Sequence, residues 1–192
     1  MRKGTVATFS IAVLLAVGAV GSPASAAYGD NFVQAQATAG TPVDERSNVM
    51  VVANTTDTVD NGNLAEAYSH DCTGCRSVAV AFQVVLVPGS PHTVTPGNLA
   101  SAANERCDHC TAIAIAKQYL VHSHGARSID RDAQRQVQRI AAKVRAVATS
   151  GAGYDEMNVK LTPLYDELVQ VVQNGLEQHD GDRSSQRATV AA

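Results

Sequence analysis

Four cysteines, Cys72, Cys75, Cys107 and Cys110, hold most of the chemical potential of this chain, and they fall as two C-x-x-C pairs with 31 residues between them. Thiols at that spacing support three chemistries. Two C-x-x-C pairs are a formal match to a four-thiolate zinc site. A single pair can cycle between dithiol and disulfide where a helix N-terminus depresses the first thiol's pKa. In an oxidising compartment, an even cysteine count favours structural disulfides. A β-branched run with a period of two, not a helix, follows each pair, and neither pair has the aromatic or proline neighbour of the usual redox kind. Asp108-His109, inside the second pair, is the one feature that could tune a thiolate.

The cysteines lie in a tandem repeat. Residues 63–87, NLAEAYSHDCTGCRSVAVAFQVVLV, and 98–122, NLASAANERCDHCTAIAIAKQYLVH, share nine of 25 aligned positions, with Asn63, Leu64, Cys72, Cys75 and Gln83 recurring 35 positions later. In each copy, alternating segments flank the cysteines. Val78, Val80, Phe82, Val84 and Leu86 alternate with smaller residues, the period of a strand. AIAIAKQYLVH in the second copy also tolerates a helix, and the equivalence of the copies carries strand over to it. Two alternating runs around Thr73-Gly74 read as an antiparallel hairpin with its turn between the cysteines. PGSPHTVTPGN, 88–98, is the linker between copies.

The N-terminus reads as an export signal over 1–26: Arg2 and Lys3, an uncharged run from Val6 to Val20, and Ala24-Ser25-Ala26 before the cleavage point. The run is short for a membrane span and is broken by Gly18, Gly21 and Pro23. The expected destination is therefore secreted or extracytoplasmic, at the cell envelope. The full chain has 15 basic and 18 acidic residues, a near balance that gives nucleic acid no electrostatic footing. Eight aromatics and no Trp leave a core of Ala, Val, Leu and Ile, thin enough to want covalent help.

Residues 27–47 show no period and read as a flexible lead, and 48–53, NVMVVA, as a short strand whose Asn48 echoes Asn63 and Asn98. After residue 128 the period turns helical. Ile129, Ala133, Val137, Ile140, Val144 and Val147 mark a helix over about 129–149 with Ser128 as N-cap. Met157, Leu161, Leu164, Leu168 and Val171 mark a second over about 154–178, kinked or divided at Pro163. The short Gly151-Ala152-Gly153 link and the opposite charges of the two helices imply an antiparallel pair, and 179–192 reads as a disordered tail. The expectation is a single α+β domain over 48–178: tandem antiparallel β-hairpins with C-x-x-C turns, then the helical pair.

The pattern N-L-A-x-A…C-x-x-C…A-x-A-x-Q, repeated across a proline-containing linker and followed by helices, resembles a group of uncharacterised secreted actinobacterial proteins, over about residues 48–178. Some of these carry a label suggesting a peptide zinc metalloprotease. This sequence has no H-E-x-x-H, and none of its six histidines precedes a Glu. The resemblance implies export and a shared architecture, and no activity.

The other candidates read as ordinary surface. His122 and His124, with His92, are loop histidines; Asp155-Glu156 and Asp166-Glu167 form a solvated helical face; Ser90, Ser123 and Ser128 lie in no nucleophile elbow; Asn54-Thr55-Thr56 fits a glycosylation pattern. No catalytic residue is assigned. For the cysteines the expected pairing is local, Cys72 with Cys75 and Cys107 with Cys110. Chain entropy favours cross-repeat bridges, at about 3.8 kcal/mol for a 35-residue loop against about 1.9 for four residues. A hairpin turn places its flanking residues within disulfide reach, about 5.5 Å between Cα atoms, and decides for the local pairs. The functional expectation is an exported, non-enzymatic structural or interaction protein with no cofactor. The alternative is a zinc-binding or thiol-disulfide-active protein whose zinc ligands are the same four cysteines.

Overall fold

The structure, a computed structural model, describes residues 29–190, with side chains described to Leu176. The stretch 1–26, which reads in the sequence as an export signal, lies outside the described residues. The chain winds through three coils of parallel strands. The first coil holds β1 (Asn31–Ala37) and β2 (Val43–Ala53); after the short β3 (Thr58–Val59), the second holds β4 (Gly62–Thr73) and β5 (Arg76–Val87); after β6 (Thr93–Val94), the third holds β7 (Gly97–Asp108) and β8 (Thr111–His122). Strands stack in register between coils, β1-β4-β7 in one sheet and β2-β5-β8 in a second, with β3 paired to β6.

The architecture is α+β, and the expected antiparallel hairpins are corrected to parallel coils. The two strands of each repeat copy, β4 with β5 and β7 with β8, lie in opposite sheets, and each pairs with its counterpart in the other copy: Cys72 sits beside Cys107 and Gln83 beside Gln118. A period of two specifies a strand and its two faces but not its neighbour. Here in-register repetition 35 residues apart provides the neighbour, as in solenoids.

The composition of β5 explains the layering. Its larger residues Val78, Val80, Phe82, Val84 and Leu86 face outward and are buried under the helices, while Ala79 and Ala81 face inward against Val33, Ala35, Ala65 and Ala67. Small residues on both inner faces let the two sheets close on each other. The helices α1 (Arg131–Ala148) and α2 (Tyr154–Val190) form a third layer on the β2-β5-β8 sheet, where Ile140, Met157, Leu161 and Leu168 complete the main core. They run antiparallel: a Cβ on Gly175 would come within 2.6 Å of Ala133 Cβ near the start of α1, and Lys143 Nζ reaches Glu167 at 3.1 Å.

Several boundaries differ from expectation. β1 and the start of β2 occupy the aperiodic stretch 27–47, where alternating Gln and Ala of modest strand propensity are held by pairing of β1 with β4. The cap of α1 is Asp130, whose Oδ1 accepts from the N–H groups of Asp132 and Ala133, in place of Ser128. α2 runs unbroken through Pro163, which is exposed, so the carbonyl it leaves without a helical partner belongs to Val159 on the solvent side. The same helix extends through 179–190, where the sequence suggests a disordered tail.

Candidate functional site at the cysteine corner

The corner between β4 and β5, and its copy between β7 and β8, is built by matched backbone turns. Asp71 (φ 52°) and Arg106 (φ 45°) take left-handed conformations at equivalent positions, as do Gly74 (φ 67°) and His109 (φ 53°). These turns fold each C-x-x-C back on itself, so that the Cα atoms of Cys72 and Cys75 are 6.2 Å apart and those of Cys107 and Cys110 are 5.8 Å apart. Both pairs are disulfide-bonded and no described cysteine is free. The bonds are local, as the sequence suggests, but they staple a turn between two sheets where a hairpin was expected.

Stacking of the coils brings the two disulfides together. Cys72 Sγ lies 3.2 Å from Cys107 Sγ and 3.8 Å from Cys110 Sγ, and the Cys75 N–H donates to Cys110 Sγ at 3.3 Å. All four Sγ atoms lie within 4.8 Å of one another, a separation that tetrahedral zinc with bonds of about 2.3 Å would accept. Cys75 is buried and the others are half-buried. Each pair is followed by a strand, β5 or β8, so neither has a helix N-terminus to stabilise a thiolate.

A polar cluster flanks the corner. Arg106 forks onto Asp71 through Nε to Oδ1 at 2.5 Å and Nη2 to Oδ2 at 3.0 Å, and also pairs with Glu105. Tyr68 donates its hydroxyl to Glu105 and stacks on His70, whose Nδ1 is 2.9 Å from Asp71. The hydrogen bonds from Arg106, aided by His70, hold the Asp71 carboxyl well below the usual range. The bond from Tyr68, with the Arg106 charge, lowers Glu105. Asp71 and Arg106 are exposed, Tyr68, His70 and Glu105 are half-buried, and the cluster is mutually paired.

No protein family, curated protein or solved structure matches the chain.

The remaining candidates are dispersed or occupied. His122 and His124 meet edge to face at 4.6 Å, while His92 approaches Asp57 at 3.9 Å; among the described residues, only the cysteines form a group of three or more metal-binding side chains. Ser123 is buried and its Oγ donates to Ala126 O. Asn54 is 7% exposed and its amide donates to Thr56 O at 2.8 Å. Glu156 and Glu167 are paired to Lys160 and Lys143. No helix among the described residues is long and apolar enough to cross a membrane, which says nothing about strands.

Two functional groups of residues emerge only in the structure. Asn31, Asn63 and Asn98 form an amide ladder, with Asn31 donating to Asn63 at 2.9 Å and Asn63 to Asn98 at 2.8 Å, and Gln118 donates to Gln83 at 2.6 Å. Their signal in the sequence is the recurrence of Asn63 as Asn98 and of Gln83 as Gln118 at the repeat distance, while Asn31 precedes Asn63 by 32 residues. Arg76 bridges layers, with Nε on Glu45 at 2.6 Å and Nη2 on Ala152 O at 2.7 Å, tying the corner to the helix link.

Proposed function

We propose that this protein is an exported, non-enzymatic structural and interaction module of the cell envelope or extracellular space. The observation that carries this reading is the use made of the reactive side chains: the four cysteines close two stacked corners as disulfides, and the buried amides are spent on ladders between coils. A disulfide at each corner restricts the unfolded chain and rigidifies a thin Ala-lined interior that buries little area by itself. The outer face of the β1-β4-β7 sheet, bearing Phe32, Leu64, Tyr68 and Leu99, is free of the helical layer and is the surface available to a partner; Phe32 and Leu99 are 40% and 59% exposed.

The approach of all four Sγ atoms to within 4.8 Å favours one second reading, a zinc-binding or thiol-active corner. Zinc would require both disulfides to be reduced first, giving four thiols that lose their protons on binding. Metal content and thiol count of protein purified from the exported fraction separate the two. The structural reading expects no stoichiometric zinc, no thiol before reduction, and an N-terminus at Ala27. One zinc with four thiols freed by chelation would establish the second reading, and retention of Met1 would overturn export.

A further inference from the structure

The two sheets are staggered by half a strand. β1 packs across the interior on β2 and β5, β4 packs on β5 and β8, but β7 packs across the interior on β8 alone. The chain therefore ends its coils with one strand overhanging. The inner face of β4, Asn63, Ala65, Ala67 and Ser69, is at most 2% exposed, whereas the equivalent positions of β7, Asn98, Ala100, Ala102 and Asn104, are all exposed. The backbone edge is open as well. Gly97 N–H donates to Asn61 O and Thr111 N–H to Cys75 O, and in a parallel ladder alternate residues face alternate sides. The N–H groups of Ala100 and Ala102 in β7, and of Ala114 and Ala116 in β8, thus point away from the molecule. Residues 97–104 carry no charge and no proline to blunt this edge, and only weak side-chain contacts cross it, from the Asn98 amide to Ala116 O at 3.3 Å and from the Asn104 amide to Cys110 O at 3.5 Å.

The opposite end of the coils carries polar caps and charge. Asn48 donates to Asn31 and caps the amide ladder at 2.8 Å; the Asp44 carboxylate accepts the Gln36 N–H at 2.8 Å; and the exposed Arg46 is paired to Asp44 beside it. A head-to-tail stack would press the open edge of one copy against this charged end.

We propose that the β7/β8 edge is the docking surface for a second copy of this chain, related by a two-fold axis along the strands. The stagger makes the edge self-complementary. Rotation about that axis exchanges the two sheets, so the overhanging β7 of each protomer enters the recess beside the partner subunit's β8, and both sheets continue as antiparallel pairs. The open ends are consumed, and the assembly stops at two. Two 12-residue strands, about 40 Å long at 3.3 Å per residue, across a sandwich about 20 Å thick with its side chains, offer about 800 Å² per partner, the standard size of a stable interface. The surface is the edge of the sandwich, distinct from the outer flat of the β1-β4-β7 sheet proposed for display although both use β7, and the proposal does not depend on metal binding by the cysteines.

Sedimentation equilibrium of the full chain purified from cells, with amide hydrogen exchange, tests this. The wild type is expected at twice the chain mass, with slow exchange at Ala100, Ala102, Ala114 and Ala116. Ala102→Pro removes an N–H that faces outward and spares the ladder to β4; Ala100→Lys places a charge on the overhang without touching the backbone. Both are expected to halve the mass with an unchanged circular dichroism spectrum, and should Ala102→Pro unfold, Ala100→Lys decides alone. A monomeric wild type, or a dimer that survives Ala100→Lys, overturns the proposal. A monomer with protected edge amides overturns it in favour of another segment of the chain, and an open series of larger species overturns the two-fold closure.

Discussion

Cys72 Sγ stands 3.2 Å from Cys107 Sγ, so sulfurs of the two separate disulfides are in direct contact. Thiol–disulfide exchange requires a thiolate within reach of a disulfide sulfur. Cys75→Ser leaves Cys72 as such a thiol. Its thiolate attacks Cys107 Sγ, a Cys72–Cys107 bond forms as Cys107–Cys110 breaks, and Cys110 leaves as thiolate. Peptide mapping without reduction is expected to show the two repeat copies cross-linked and the free thiol at Cys110. Persistence of Cys107–Cys110 with Cys72 free would show that the stacked disulfides do not communicate.

The amide ladder predicts a gradient of cost along one line of residues. Asn63 is 1% exposed; its carbonyl accepts from Asn31, and its amide is shared among Asn98 Oδ1, Ala81 O and Lys117 O. Asn63→Ala strips partners from buried groups on three strands and is expected to cost about 2–4 kcal/mol. Asn98→Ala, at the exposed end, is expected to cost about 1 kcal/mol or less. Urea unfolding midpoints compare the two, and equal losses would mean that the ladder does not act as a buried network.

His109 occupies the left-handed position that Gly74 occupies in the other copy, with φ 53° against 67°. An L side chain at such a φ costs roughly 1–2 kcal/mol that glycine avoids. His109→Gly is expected to raise the thermal midpoint by a few degrees, since the exposed contact it loses with Asp108 contributes little. Gly74→Ala, into open space at the same φ, should lower it by a similar amount.

Leu168 is fully buried between α2 and the β2-β5-β8 sheet. Leu168→Asp places an unpaired carboxylate there and is expected to cost about 4 kcal/mol or more, releasing the helical layer. Near-unchanged melting by circular dichroism would mean that the helices do not cover the sheet in solution.

The sequence made the parts legible more readily than their neighbours. Alternation of Val and Ala placed β5, the copy relation placed β8, and the spacing of Ile140, Val144, Met157, Leu161 and Leu168 placed both helices. The parallel stacking was hidden because a C-x-x-C turn joins two strands equally well within a sheet and between sheets, and proximity in sequence favours the hairpin. The first coil was hidden because β1 carries no cysteine and repeats the pattern after 32 residues instead of 35, with Asn31, and not Asn48, as the counterpart of Asn63. At the site, the local cysteine pairing was inferred from a hairpin turn, and the structure keeps the pairing while replacing its reason with a turn between sheets. The contact between the two disulfides was not legible, since it depends on the stacking.

The placement of the helical layer sets an order of events during synthesis. All eight strands precede α1 and α2 in the chain, yet the outward side chains of β5, Val78, Val80, Phe82, Val84 and Leu86, find cover only from those helices. A chain emerging from its N-terminus therefore presents a bare apolar sheet until its last third appears, and over that interval it is a client for whatever holds unfinished chains apart.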